Sequence, residues 1–324
     1  MGSSEVLKTP AEKAAALGTR DVYGEMLVEL ARERSDVVVL DADLSGSTMT
    51  KFFAKEFPER FFNMGIAEQD LIGTAAGLAL AGKNPFVSSF AIFASGRAWE
   101  QVRQALAYPA LNVKVVASHG GICVGEDGAS HQMLEDFALM RVIPNMRVIV
   151  PADGVEMREI MRTVVNEEGP FYIRTSRMKF PVLFPDGAGF KIGKGKVVRR
   201  GADLTIIAVG LMVSEALKAS AVLAKKGISA RVVNMSTIKP IDEGLIEKCA
   251  RQTGAIVTAE EHSVIGGLGS AVCEVTAARC PVPVRMVGIK DLFGMSGKSE
   301  ELLACYGLQS ADIIKAAQEV LKKK

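Results

Sequence analysis

The sequence predicts an α/β protein of two domains, each a mainly parallel sheet flanked by helices. Three observations carry this: short β-branched runs recur along the chain, longer helical patterns separate them, and one Pro/Gly-rich stretch interrupts the alternation. With 324 residues, 48% of them hydrophobic, the chain can bury two cores.

The first run, 37–40 (VVVL), has no polar face and so reads as a strand buried on both sides. An amphipathic pattern over 22–31 precedes it, and the polar stretch Asp41-Ala42-Asp43-Leu44-Ser45-Gly46-Ser47 follows. Equivalent strands are expected at 85–89, 113–117, 147–150 and 171–174, with helices at 66–81, 96–107 and 155–165. The run 71–81 (LIGTAAGLALA) is too short to cross a bilayer, and its small residues suit close packing in a core. Between 179 and 195 the pattern breaks, with two prolines and four glycines after Phe180. This is the expected linker, dividing the chain into domains at 1–185 and 186–324. Beyond it, strands are expected at 204–209, 230–234, 255–259 and 284–287, and helices at 213–226, 242–251 and 267–279.

Composition excludes several function classes. A net charge of +2, with basic residues spread along the chain, is no footprint of a nucleic-acid binder. Lys322-Lys323-Lys324 suits the C-terminal end of a helix dipole. Five dispersed cysteines without a Cys-x-x-Cys imply free thiols in a reducing compartment, and no apolar segment of the signal-peptide kind is present. A cytoplasmic protein without membrane attachment is expected.

Two nucleotide motifs fail. Gly297-Lys298-Ser299 lacks the earlier glycine of a P-loop, since Leu292 stands there. Gly267-Leu268-Gly269 has Val272 where the dinucleotide fingerprint needs its third glycine, so tight helix–strand packing is the simpler reading.

Two of the three histidines, His119 and His131, bracket the glycine-rich acidic stretch Ser118-His119-Gly120-Gly121-Ile122-Cys123-Val124-Gly125-Glu126-Asp127-Gly128-Ala129-Ser130-His131-Gln132. Imidazoles and carboxylates on a flexible loop suit proton transfer and hydroxyl recognition, and a packed core would rarely hold such a segment. A metal site on His119, Asp127 and His131 is set aside, because their spacing is long and no helical face fixes them. Glu68 falls in the first turn of the 66–81 helix, where it either complements the dipole or sits desolvated, poised to share a proton. Phe90 and Phe93 fall at a strand end and helix start, where open parallel sheets bind ligands, although two core aromatics would look the same.

Together, Met64-Gly65-Ile66-Ala67-Glu68, Phe90-x-x-Phe93-Ala94-x-Gly96 and 119–132 resemble the C-terminal half of transketolase in order, spacing and residue type. Pro151-Ala152-Asp153-Gly154, Thr175-Ser176-Arg177 and Asp291-Leu292-Phe293-Gly294-Met295-Ser296-Gly297-Lys298 extend the likeness along nearly the whole chain. The resemblance implies a pyrimidine-binding domain followed by the family's C-terminal domain. It implies that Glu68 hydrogen-bonds the aminopyrimidine of thiamine diphosphate, that Phe90 and Phe93 pack on that ring, and that Asp43 lies near the thiazolium. Val87 stands where some relatives carry another aromatic. It further implies that Asp127 accepts from a sugar hydroxyl and that His131 hydrogen-bonds near the transferred two-carbon unit. His119 would contact the sugar or its phosphate, which Arg20, Ser47 and Arg177 would bind.

The family's Gly-Asp-Gly with a later Asn, which holds the diphosphate and its divalent ion, has no counterpart; Gly125-Glu126-Asp127-Gly128 belongs to the sugar site. The chain also begins just before Thr19-Arg20-Asp21, where a pyrimidine domain would start. The expectation is therefore one subunit of a split transketolase, acting on sugar phosphates in an α2β2 assembly whose N-terminal partner binds Mg²⁺ or a similar ion. Alternatives are 1-deoxyxylulose-5-phosphate synthase, usually a single chain without an equivalent of His119, and the β subunit of 2-oxoacid dehydrogenases, which lacks the Gly-Glu-Asp-Gly-x-x-His pattern. A specialised split transketolase and a non-catalytic regulatory subunit of a thiamine enzyme also remain open.

Overall fold

The computed structural model describes residues 16–324. The long β-branched runs pair as a seven-stranded sheet in the order Thr237–Lys239, Arg147–Ile149, Phe171–Arg174, Lys114–Ser118, Asn84–Phe90, Val37–Asp41, Phe61–Asn63. Its pairings are parallel except at Thr237–Lys239. Val37–Asp41, Asn84–Phe90 and Lys114–Ser118 are buried on both faces, as continuous apolar runs require. A second sheet runs Val284–Ile289, Ile256–Ser263, Leu204–Ala208, Ala230–Asn234, Lys196–Arg199, parallel except for the last strand. This is the α/β architecture expected.

Several elements depart from the periodicity reading. The strand Phe61–Asn63 is three residues long and half exposed, so no alternation marks it. The strand Thr237–Lys239 follows the linker yet joins the first sheet, antiparallel to Arg147–Ile149. Helical structure expected from 96 already begins at 91 and includes the wide π turns Phe93–Arg97 and Val102–Ala107, placing Phe93 on the helix.

The linker is packed onto the body. Asp153 caps the helix Gly154–Val164 by accepting from Glu156 N (2.7 Å), and it also accepts from Leu183 N (2.6 Å) and Phe184 N (3.0 Å). Glu159 of the same helix accepts from Ala188 N and Phe190 N, both at 2.7 Å. The two halves also share apolar core: Val148, Val150 and Tyr172 pack in one cluster with Ile207, Val209, Met235 and Ile238.

A buried polar seam runs alongside that core. Arg174 donates to Asp136 Oδ1 (3.3 Å) and to the backbone oxygen (2.9 Å) and Oε2 (3.3 Å) of Glu261, while Tyr172 donates to Asp136 Oδ2 (2.7 Å). His262 stacks on Phe137 with ring centres 4.6 Å apart and accepts the Phe137 N–H at Nε2 (3.1 Å). Its proton therefore sits on Nδ1, which donates to Ser263 O (2.6 Å). Burial pushes this imidazole down to about 4.

Candidate active site

The parallel strands Val37–Asp41, Asn84–Phe90, Lys114–Ser118 and Phe171–Arg174 end on one side of the first sheet, the edge where such sheets bind ligands. Each end delivers candidate residues. Asp41 is fully buried and accepts from Leu44 N (2.6 Å), Thr48 Oγ1 (2.7 Å) and Thr50 Oγ1 (2.9 Å), folding the polar loop that carries Asp43 and Ser47. Asp43 and His119 both take left-handed backbone conformations, with φ of 62° and 60°. Non-glycine residues hold such conformations only when their surroundings impose them, and they gather at functional sites.

His119 is the hub. It stacks on Phe90 with ring centres 4.0 Å apart, and Phe90 lies nearly parallel to Phe93 at 6.1 Å. His131 meets both phenylalanines edge-on, at 6.2 and 5.6 Å. Arg20 Nη1 lies 3.4 Å from His119 Nε2 and donates to Ser47 O at 3.0 Å. A guanidinium can only donate, so His119 Nε2 accepts and Nδ1–H donates to Ser118 Oγ (2.8 Å). Burial, then Arg20, Arg177 and His131, push this imidazole down to about 3. His119 therefore stays neutral near pH 7, and hydroxyl recognition suits it better than proton transfer.

Arg177 donates to Val124 O (2.5 Å) and lies 3.7 Å from Asp127 Oδ2, at the solvent side. Thr19 Oγ1 accepts from Ser176 N (3.0 Å), tying the two arginine-bearing segments together. Arg20 Nε is buried with no hydrogen-bond partner among the described residues. Arg20, Ser47, Phe90, Phe93, His119, Asp127, His131 and Arg177 thus form one contiguous constellation.

Glu68 joins it indirectly. It opens the helix Glu68–Leu80, is 2% exposed, and accepts from Arg97 Nη1 at 3.0 Å. Arg97 in turn covers the Phe93 ring, its guanidinium carbon 4.7 Å from the ring centre. The exposed-acid reading of Glu68 is therefore set aside in favour of the desolvated one. Asp43 is exposed and shares two 3.1 Å hydrogen bonds with Asn63. Among the described residues no hydrogen bond joins Glu68 or Asp43 to the histidines. Sequence reasoning missed Arg97, because the helix was expected only from 96 and the helical spacing between Phe93 and Arg97 was therefore hidden.

The loop between the histidines is also corrected. Far from hanging free of a core, Ile122 and Cys123 pack in the apolar cluster of the second domain with Leu211 and Leu303. Cys123 N donates to Glu261 Oε1 (2.7 Å), and Gly120 and Gly121 lie against Arg174, where an added Cβ would come within 2.2 and 2.1 Å of the guanidinium. Only the acidic tip, 126–131, faces solvent apart from Gly128.

The donor set fits an aminopyrimidine: a buried carboxylate linked through Arg97 to an aromatic pair, with imidazoles and guanidiniums around that pair. Residues 15–182 match the transketolase pyrimidine-binding domain, and residues 193–313 match the transketolase C-terminal domain. A Methanocaldococcus jannaschii protein described as a transketolase C-terminal section is 55% identical, with 94% of this chain and 97% of that protein covered. The 6-deoxy-6-sulfo-D-fructose transketolase subunit SqwH of a Clostridium species is 44% identical over 94% and 95% of the two chains. A subunit of the apulose-4-phosphate transketolase of Phocaeicola vulgatus is 43% identical over 95% and 98%. Among solved structures, a split gene transketolase described as an inactive β4 tetramer superposes with a TM-score of 0.89 at 54% identity, covering 94% of this chain and 99% of that one. The transketolase of Campylobacter jejuni superposes with a TM-score of 0.80 at 25% identity, and this chain spans 48% of its length. This chain belongs to the transketolase family, as the section of a split transketolase that carries the pyrimidine-binding and C-terminal domains.

Proposed function

We propose that the chain is the pyrimidine-binding subunit of a thiamine-diphosphate-dependent transketolase that moves a two-carbon ketol unit from a ketose phosphate to an aldose phosphate. The observation that carries this reading is the buried Glu68 carboxylate, linked through Arg97 to Phe93 and so to the constellation that holds both loop histidines and two arginines. When bound, the cofactor supplies the carbanion-stabilising chemistry. Glu68 is the residue to hydrogen-bond the pyrimidine ring nitrogen and share a proton with it, and Phe90 and Phe93 are the apolar wall that excludes water from it. Asp43 belongs on the thiazolium side. His119, held as the neutral Nδ1–H tautomer, accepts from Arg20 at Nε2 and so lines the sugar-phosphate side of the site together with that guanidinium. His131 and Asp127 orient the sugar hydroxyls, and Arg20, Arg177 and Ser47 receive the phosphate. The catalytic set is therefore Glu68, His119 and His131.

Nothing in this sequence corresponds to the family's diphosphate- and metal-binding segment, so the reading requires an N-terminal partner subunit that supplies it, in an α2β2 assembly with Mg²⁺ or a similar ion on the partner. The relatives named as subunits of two specialised transketolases support this arrangement and leave the donor and acceptor sugars open.

The test is reconstitution with a co-purifying partner that bears Gly-Asp-Gly. The chain alone should show no ketol transfer, the complex should be active, and Glu68→Gln in the complex should lower turnover by about 10²- to 10⁴-fold. Unchanged turnover in Glu68→Gln would move the regulatory-subunit reading to the front.

A further inference from the structure

The second domain is keyed into the loop that carries Asp127 and His131. Gln132, the residue after His131, is 3% exposed. Its Nε2 lies 3.2 Å from Ile122 O and 3.2 Å from Gly125 O within the loop, and 2.9 Å from Met295 O in the second domain. Three surrounding carbonyls fix the amide orientation, because only the nitrogen end can donate. The other end, Oε1, is buried without a partner among the described residues. It faces Gly294, where an added Cβ would lie 1.8 Å away, so only glycine leaves room for this amide.

The same segment closes on the loop at two more points. Ser299 Oγ donates to Cys123 O (2.9 Å), and Ser296 Oγ lies where a Cβ on Gly128 would sit 2.5 Å from it. Gly125 and Gly128 both have positive φ, 84° and 72°, so the loop can take this shape only with glycine there. The backbone N–H groups of His131 and Gln132 both donate to Gly128 O, at 3.0 and 3.1 Å. The path from Met295 through the Gln132 amide to the His131 backbone is therefore continuous and short.

We infer that Gln132 is a positioning residue through which the C-terminal domain sets the conformation of the substrate loop. It acts through His131 and Asp127 and does not touch the reacting atoms, so the inference rests on the reading of those two residues as sugar-binding. A buried amide spanning three carbonyls costs an unsatisfied oxygen, and supporting contacts of this kind define the geometry of the residues they hold.

The experiment uses Gln132→Met, which keeps the volume and removes both the donor and the orphan oxygen, together with Gly294→Ala and Gly294→Ala combined with Gln132→Ala. With only three histidines in the chain, carbon-13-labelled imidazole signals of the full-length protein report His131 directly and independently of any activity. The expected result is a shifted or doubled His131 signal in Gln132→Met and in Gly294→Ala, with that of His262 unmoved. In the reconstituted enzyme, kcat/KM for a ketose phosphate should fall about 10- to 100-fold while cofactor affinity, read by fluorescence titration, stays within about twofold. Gly294→Ala should perturb the His131 signal strongly in the native background and weakly beside Gln132→Ala. An unmoved His131 signal in Gln132→Met, or equal effects of Gly294→Ala in both backgrounds, overturns the inference. Loss of the spectroscopic coupling counts against the clasp, whereas intact coupling in a complex without ketol transfer counts against the proposed function.

Discussion

Replacing Arg174 by methionine removes the guanidinium that lies between Asp136 and Glu261 while keeping most of the side-chain volume. Arg174 is 4% exposed, and both acids are buried. Its Nη1 reaches Asp136 at 3.3 Å and its Nη2 reaches the Glu261 carboxylate at 3.3 Å, so the variant strands two carboxylates in a water-poor seam. Burial already pushes the Glu261 carboxyl above its ordinary range even with the arginine present. Breaking a buried pair in this way costs about 3–5 kcal/mol. Losing the cation from the face of Phe137, 4.7 Å away, adds about 1 kcal/mol. Urea unfolding at pH 7 should therefore show a loss of about 4–6 kcal/mol. Amide exchange should accelerate at 120–124, because the loop rests on this guanidinium and on Glu261. Adding Asp136→Asn and Glu261→Gln neutralises the stranded charges and should recover at least half of the loss. A loss below about 1 kcal/mol, or a triple variant no better than the single one, would refute the argument that uncompensated charge is the cost.

Two further perturbations read the site itself. The His119 imidazole, held down to about 3, lies below its unfolded value near 6.5, so the unfolded chain takes the proton first. Stability from this residue is then complete above pH 6.5 and lost as pH falls toward 3, by about 3 kcal/mol at pH 4. Thermal unfolding of the native chain compared with His119→Asn between pH 7 and 4 measures this, and a pH-independent difference would contradict it. Arg97→Ala deprives the buried Glu68 of its 3.0 Å partner; because Arg97 is half exposed, the loss should be only about 1 kcal/mol, partly restored by Arg97→Lys. No change in the midpoint of thermal unfolding would assign the stabilisation of Glu68 to the helix start alone.

The large features of this fold were legible because they depend on local pattern. Runs such as 37–40 and 204–209 are apolar on both faces, and that periodicity signals a strand in a covered sheet without knowledge of its partners. The candidate site residues could be singled out because they sit at strand ends and in glycine-rich stretches. What escaped was non-local. Nothing in the neighbourhood of Arg174 announces that Asp136 and Glu261, 38 and 87 residues away, converge on it. The loop between the histidines reads as exposed by composition, and its burial follows from Glu261 and the segment Gly294 to Ser299, which pack on it from the other domain. The short strands Phe61–Asn63 and Thr237–Lys239 are too brief to show any period.

The crossover of Thr237–Lys239 to the edge of the first sheet bears on how the polypeptide matures. During synthesis, the strand Arg147–Ile149 lies at an open sheet border until the chain has been made past residue 239. An unpaired strand border is a template for unwanted association, so a nascent first domain carries that liability for as long as the ribosome takes to add the intervening segment. Removing the chain beyond the linker would make the exposure permanent. The two halves are thus interdependent as folding units even though each has its own sheet, and a swap at this junction succeeds only if the donor also carries a strand that seals the neighbouring edge.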